Sequence, residues 1–334
     1  PEQAAQPDPL ADQLMNLASR GNRQMATAIA SLARTDRWSQ VNRLLERLAA
    51  QKLNRQELAA MQKAIEPAVF LEMRLNDQLS ERAHAMLDQI AAATKQYRQS
   101  PERLRAAIAS LDDPSTDNQL AASRILVNGG NAAIVELVAA AVQSPTPADR
   151  DAILRAMLRL GDGGNLALRQ LALYGTQEAR TGAITALARI SPQDNVVELL
   201  TAQHAPDSSA EAVSKAGAAL RRINGRTTSR ELALKLLIDD LRRKQRVADQ
   251  LENTDEVLTH WSVNSKRDGV NYTKTLATFS AYRDVADAAA RLRRVGGLTQ
   301  EIISESFIAD MGYRILIDPD WGDPVQVQDV MAVY

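Results

Sequence analysis

The sequence predicts an all-α protein: an α-solenoid of about four helix pairs in its middle third, an irregular helical N-terminal region and a small C-terminal α+β element. Three observations carry this expectation. First, a helix–loop–helix pattern superposes on itself at Val127, Leu160, Ile190 and Ile223, spaced by 33, 30 and 33 residues, a period that marks stacked helical units. Second, the loops after these positions are built from Gly, Asn, Asp and Pro, residues that stop a helix and turn the chain. Third, hydrophobic residues make up 45% of the 334 but aromatics only 4%, so the core must be Leu, Ala, Ile and Val, as helix-on-helix packing favours.

The N-terminal region reads as helix throughout. Residues 1–9 are expected as a disordered start, and 10–109 as the helical region. Asp8-Pro9 supplies an N-cap and a first-turn proline for a helix to about Ser19. Asn54 with Glu57 forms a capping-box signal for a helix that Pro67 interrupts. From Pro67 to Tyr97 the sequence predicts one long helix. Its apolar positions Leu79, Ala83, Met86, Ile90, Ala93 and Tyr97 step alternately by four and three, which suits either packing in a bundle or a short dimerising coil. Ser100-Pro101 opens the next helix.

The repeats are expected over 110–251. Four residues before each reference position stand Ser123, Ala156, Ala186 and Ala219, and seven before stand Leu120, Ile153, Ala183 and Ala216. Offsets of four and seven share one helical face, so these form a buried stripe. Arg159, Arg189 and Arg222 precede the reference position in three units, where positive charge suits the end of a helix. The second helices are expected at 131–143, 165–174, 195–203 and about 228–245, three of them starting at or near an asparagine N-cap.

The stretch Thr185-Ala186-Leu187-Ala188-Arg189-Ile190, followed by a loop and Val196-Val197-Glu198-Leu199-Leu200, resembles the HEAT-repeat family (an armadillo-type α-solenoid), particularly its bacterial form also called PBS-lyase HEAT-like. The resemblance covers about residues 110 to 250. It implies a fold of stacked helix pairs whose second helices line a concave face, in a family of scaffolds, adaptors, a few lyase subunits and some DNA-repair glycosylases. It carries no functional residue across, because the matching positions are packing positions. Within the repeats, Glu136, Arg169, Glu198 and Lys235 occupy one register of successive second helices, giving alternating charges. They read as a ladder between repeats: either a surface patterned for a partner or local salt bridges worth ~0–1 kcal/mol each.

Residues 252–334 change character and are expected to hold helices plus a β-hairpin, cut short at the C-terminus. His260 to Val263 reads as extended and Lys266 to Gly269 as a turn. Tyr272 to Val295 reads as a helix stopped by Gly296-Gly297, and Thr299 to Met311 as another. Tyr313 to Ile317 and Val325 to Gln328 read as two strands around a Pro/Gly turn.

Little in the chain points to chemistry. There are no cysteines, which removes thiolate sites and disulfides and fits an exported protein or a cytosolic one, the Gln/Ala/Pro-rich start leaning towards export. His84, His204 and His260 are the three histidines, none at metal-ligand spacing. His84 reads as structural, His204 as an exposed loop residue, and His260, beside Trp261, as the one worth testing for function. Asp318, Asp320, Asp323 and Asp329 only faintly echo a calcium loop, the glycine being misplaced. Trp321 in that turn reads as a hairpin anchor or a contact residue. No nucleotide-binding or hydrolase motif is present, so neither a cofactor nor a catalytic residue is expected.

Forty basic residues against 41 acidic give a net charge of −1, and residues 111–225 carry ten basic against twelve acidic. Nucleic-acid binding normally shows a basic domain. The cluster Arg242, Arg243, Lys244 and Arg246 reads as an acidic-partner contact or as a solvated helix face. No apolar run reaches the ~20 residues of a membrane helix. The expectation is a non-catalytic scaffold or adaptor that binds another protein along the solenoid, with Glu136, Arg169, Glu198 and Lys235 at the surface. The alternatives are a nucleic-acid-binding HEAT-like protein, or the supporting module of a larger enzyme.

Overall fold

The computed structural model describes residues 8–143, 147–251 and 255–318. Among them are seventeen helices and one two-stranded antiparallel sheet, and none of the helices is long and apolar enough to cross a membrane. The chain divides after Leu104 into two compact units.

The first unit contains α1 (Pro9–Ala18), α2 (Asn22–Ala33), α3 (Trp38–Ala49), α4 (Arg55–Ala64), α5 (Pro67–Leu75) and α6 (Glu81–Arg98). Its helix starts follow the local signals. Asp8 accepts from the Ala11 amide, and the Arg37 guanidinium beside it holds its carboxyl below the usual range. Asn54 and Glu57 form both bonds of a capping box. The long helix expected over 67–97 is instead two helices. Asn76 is extended, and Ser80 caps a fresh start by accepting from the Ala83 amide while its hydroxyl reaches Asn42 and Glu46 of α3. His84 serves the break, its Nε2 lying 3.1 Å from the Asn76 carbonyl. The stripe from Leu79 to Ala93 is buried within this unit's own core, with Trp38, Leu44, Leu48 and Met73.

The second unit follows α7 (Pro101–Ala109), within which the division falls. It contains α8 (Thr116–Gly129), α9 (Asn131–Gln143), α10 (Pro147–Leu158), α11 (Gly163–Tyr174), α12 (Gln177–Ile190), α13 (Val196–His204), α14 (Ala210–Asn224), α15 (Arg230–Gln250), β1 (Val257–Val263), β2 (Val270–Leu276), α16 (Ala277–Val295) and α17 (Gln300–Ile317). Among the first helices of the pairs, α10 touches α12 and α12 touches α14; among the second, α9 touches α11, α11 touches α13 and α13 touches α15. The approach of α12 to α9 depends on Gly182, where an added Cβ would stand 2.7 Å from the Val142 carbonyl oxygen.

The buried register differs from the expected one in the first pair. Leu126, Met157, Leu187 and Leu220 are all 1% exposed or less, and Ala122, Ile153, Ala183 and Ala216 precede them by one helical turn. Val127 and Leu120 point outward instead. The first helix pair is therefore offset by two residues from the alignment of aliphatic helix ends. Nor do the asparagines cap the second helices: Asn131 already lies inside α9, Asn165 lies inside α11, and Asn195 makes no side-chain cap bond. The arginines before the loops reach back one pair each. Arg159 donates to Ser123 Oγ at 2.8 Å, Arg189 donates from Nε and Nη2 to the two carboxylate oxygens of Asp151, and Arg222 donates to the Ala188 carbonyl at 2.9 Å.

The C-terminal region packs on α15 rather than standing apart. Leu237, Leu241 and Ala248 of α15 share one core with Val285, Ala289 and Leu292 of α16 and Ile302 and Ala309 of α17. Two expectations are corrected here. Residues 272–276 belong to β2, so the helix begins at Ala277. Tyr313 to Ile317, read as a strand, is the last part of α17. Its β-branched and aromatic composition is offset by one contact from outside the helix, Tyr313 with Arg283 of α16, and by one within it, Arg314 with Asp310 one turn back. The second proposed strand, the aspartate turn after Asp318 and Trp321 lie outside the described residues.

Candidate ligand groove

The hairpin is fixed on α9 and α11 by a few specific contacts. Trp261 is buried and stacks at a tilt on Tyr272, with ring centroids 5.6 Å apart. Its indole lies against the start of α11, where a Cβ added at Gly163 would stand 3.4 Å from the ring and 2.7 Å from Ile134. At the turn, the Thr176 amide donates to the Arg267 carbonyl at 2.7 Å and Arg267 Nε donates to the Tyr174 carbonyl. Asn131 at the start of α9 donates to Thr259 Oγ1.

Beneath the hairpin, α16 presents a row of charges that an Ala-rich helix would ordinarily turn to solvent. Asp287 is 1% exposed and accepts from Tyr174 Oη at 2.7 Å, from Gln170 Nε2 and from Arg283 Nε at 3.2 Å. Burial opposes its ionisation, but Arg283, Arg291 and these hydrogen bonds outweigh it and hold the carboxyl below its ordinary value. The Tyr174 hydroxyl is pushed up, first by burial and then by Asp287. Arg291 is also buried, 3.0 Å from Glu198. Its Nη1 and Glu198 Oε2 have no hydrogen-bond partner among the described residues.

These elements enclose a groove of about 670 Å³, within the ~300–1,000 Å³ usual for ligand sites. Leu166, Arg169 and Gln170 of α11 form one side, and Ser280, Asp284, Asp287 and Arg291 of α16 the other. Arg243, Lys244 and Val247 of α15 and Leu258 to Trp261 of β1 complete it. Asp284 reaches solvent through the mouth, yet the walls strip its hydration. Desolvation raises its pKa and Asp287 adds to the rise, against the opposing pull of Lys244, Arg291 and Arg169. Asp240 behaves oppositely. Burial disfavours its charge, but Lys244, Arg291 and Arg243 more than compensate, and its pKa is lowered. His260 is half-buried in the groove wall, its pKa depressed by burial and by Arg283, which keeps the ring neutral near pH 7.

Of the four residues expected at a partner surface, the groove takes only Arg169. It also donates to Asn195 Oδ1 and the Asp194 carbonyl and lies 3.8 Å from Glu198. Glu198 is 4% exposed and belongs to the interior, a correction to its surface assignment. Glu136 pairs with Arg105, not with Arg169, and Lys235 is exposed. The expected ladder is therefore reduced to one contact, Arg169 with Glu198. His204 is not an exposed loop residue either: it ends α13, half-buried, its pKa lowered by desolvation. In the basic cluster of α15, Arg242 pairs with Glu301 and Glu305, while Arg243 and Lys244 pair with Asp240.

Sequence reasoning missed Asp284, Asp287 and Arg291. The available signal was their spacing of three and four on an otherwise alanine-rich helix, which places all three on one face; which way that face points is decided by α13 and α15. Comparison with protein-family models returns no match, and comparison with curated proteins returns none, so the groove's geometry carries the functional reading.

Proposed function

We propose that this chain is a non-catalytic, HEAT-like α-solenoid scaffold that binds another protein, and that the groove between β1, α11, α15 and α16 is its binding surface. The ordered contacts between successive helix pairs support the solenoid reading. The observation that carries the binding reading is the groove itself. It places exposed Leu166, Val247 and Leu258 beside Arg169, Lys244 and Asp284, the mixture of apolar contact and placed charge that binding sites use. The pairing of Arg242, Arg243 and Lys244 with carboxylates favours a protein partner over nucleic acid, which would need free cations.

The test is a photo-crosslinking residue at Val247, with an equivalent at Lys235 as control, in full-length protein exposed to native lysate with and without nuclease. The expected result is a protein captured from position 247, resistant to nuclease and lost when exposed Leu166 is changed to Asp. Capture equal at both positions, or indifferent to Leu166→Asp, would remove the groove from the function.

A further inference from the structure

The partner's chemistry can be read from the charges of the groove, an inference that rests on the groove being the binding surface. Charges behind the lining satisfy nearly all of those on it. Of the four lining cations, Arg243 and Lys244 pair with Asp240, and Arg291 and Arg169 with Glu198. Arg169 is held further by Asn195 Oδ1 and the Asp194 carbonyl. Of the two lining carboxylates, Asp287 accepts from Gln170, Tyr174 and Arg283. Asp284 remains, the one Asp, Lys or Arg of the lining with neither an ion pair nor a hydrogen bond among the described residues.

Asp284 is also within reach of a partner. It is exposed at the mouth, whereas Asp287, Arg291, Glu198 and Asp240 are buried. Lys244, Arg291 and Arg169 attract it, yet its lost hydration outweighs them and the carboxyl stays above its ordinary value, so its charge is under-compensated within the chain. A cation arriving at Asp284 meets those three as members of ion pairs, each already facing Asp240 or Glu198, and their repulsion is offset. Beside it, Leu166, Val247 and Leu258 are exposed on the same lining. Among the described residues no three His, Asp or Glu side chains are grouped to hold a metal ion, and a bare ion makes no use of an apolar wall. An aliphatic stem with a charged end uses both. We propose that the groove receives a basic side chain of the partner protein, lysine or arginine, whose cationic end bonds the Asp284 carboxylate while its stem lies against Leu166, Val247 and Leu258. The apolar wall supplies contact area, and the charge-assisted bond, roughly twice as strong as a neutral one, supplies selectivity.

The probes are synthetic: acetyl-Leu-Lys-Leu-amide, its analogues with norleucine or Glu at the centre, and methylammonium. Binding to the full chain is measured by calorimetry and located by the carbon shift of the Asp284 carboxyl. The expected result is a Lys peptide bound at least roughly tenfold more tightly than the norleucine peptide, which corresponds to 1.4 kcal/mol, a Glu peptide weaker still, and no competition from methylammonium at equal concentration. In Asp284→Asn, which keeps the shape of the side chain, the Lys and norleucine peptides should bind alike. Asp239→Asn, which neutralises an exposed carboxylate of α15 off the groove lining, should leave their ratio unchanged. Equal binding of Lys and norleucine peptides to the parent, a preference that survives Asp284→Asn, a preference for Glu, equal competition by methylammonium, or no binding at millimolar Lys peptide would each overturn the inference. Photo-capture from Val247 that Asp284→Asn leaves unchanged would sink the basic anchor but keep the groove as binding surface. Loss of groove-specific capture in the parent would sink both.

Discussion

Arg291 and Glu198 lie 3.0 Å apart with side chains 4% and 3% exposed. Replacing Arg291 by Met keeps much of the stem and removes the guanidinium. The Glu198 carboxylate then keeps only Arg169, at 3.8 Å, as a nearby cation. Removing one partner of a buried pair costs ~3–5 kcal/mol because the other charge is left uncompensated, and the surviving Arg169 places this case near about 3 kcal/mol. In a unit of this size each kcal/mol moves Tm by ~2–4 °C, so Arg291→Met should lower its melting by roughly 6–12 °C. Glu198→Leu alone should cost less, since Asp287 and Asp240 still act on Arg291. The double variant should return to within ~1 kcal/mol of the parent, because an apolar pair of similar volume replaces a buried ion pair at little cost. Urea unfolding followed by circular dichroism gives the three free energies, with calorimetry checking that the transition is two-state. A loss below ~1 kcal/mol in Arg291→Met, or a double variant equal to the sum of the singles, would refute the assignment of this pair as a coupled buried unit.

Five further outcomes are expected. Asp284, with its folded pKa raised above 3.8, favours the fold only when protonated, a contribution present below the unfolded value and lost as pH rises through the folded one. Asp284→Asn should therefore raise Tm at neutral pH and leave it unchanged near about pH 3, as melting curves across that range will show. Asp287 has the opposite sign: its folded pKa lies below 3.8, its stabilisation is present above that value, and the deficit of Asp287→Asn should shrink as pH falls below it. Gly182→Ala drives a Cβ into the Val142 backbone and should cost about 1–3 kcal/mol, measured by chemical denaturation. Arg189→Ala removes an exposed pair with Asp151 and should cost only ~0.2–1 kcal/mol; Arg169→Glu, which sets a second carboxylate beside buried Glu198, should cost clearly more in the same assay.

How far each feature could be read in advance depends on how local its cause is. Helix starts at Pro9, Arg55 and Pro101 were legible because a cap or a proline acts within four residues. The predominance of helix was legible because composition and apolar periodicity act along each segment by itself. The break at Asn76 to Ser80 was not, since the cap competes with a helical pattern running through it and the bonds to Asn42 and Glu46 lie more than thirty residues away.

The sequence by itself determined an all-helical body, the positions of most helices and a core of small aliphatic residues, because composition and periodicity govern those directly. The extension of β2 over 272–276, the helical state of 313–317 and the burial of Glu198, Asp287 and Arg291 appear only in the tertiary structure, where β2 meets α9, α11 and α16, Tyr313 meets Arg283 of α16, and the three charges lie among α11, α13 and α16. A charged residue on a helix has the same local signature whether its face meets water or another helix. Its burial is set by partners distant in the chain: 93 residues separate Glu198 from Arg291, and the groove they underlie exists only once those helices are assembled.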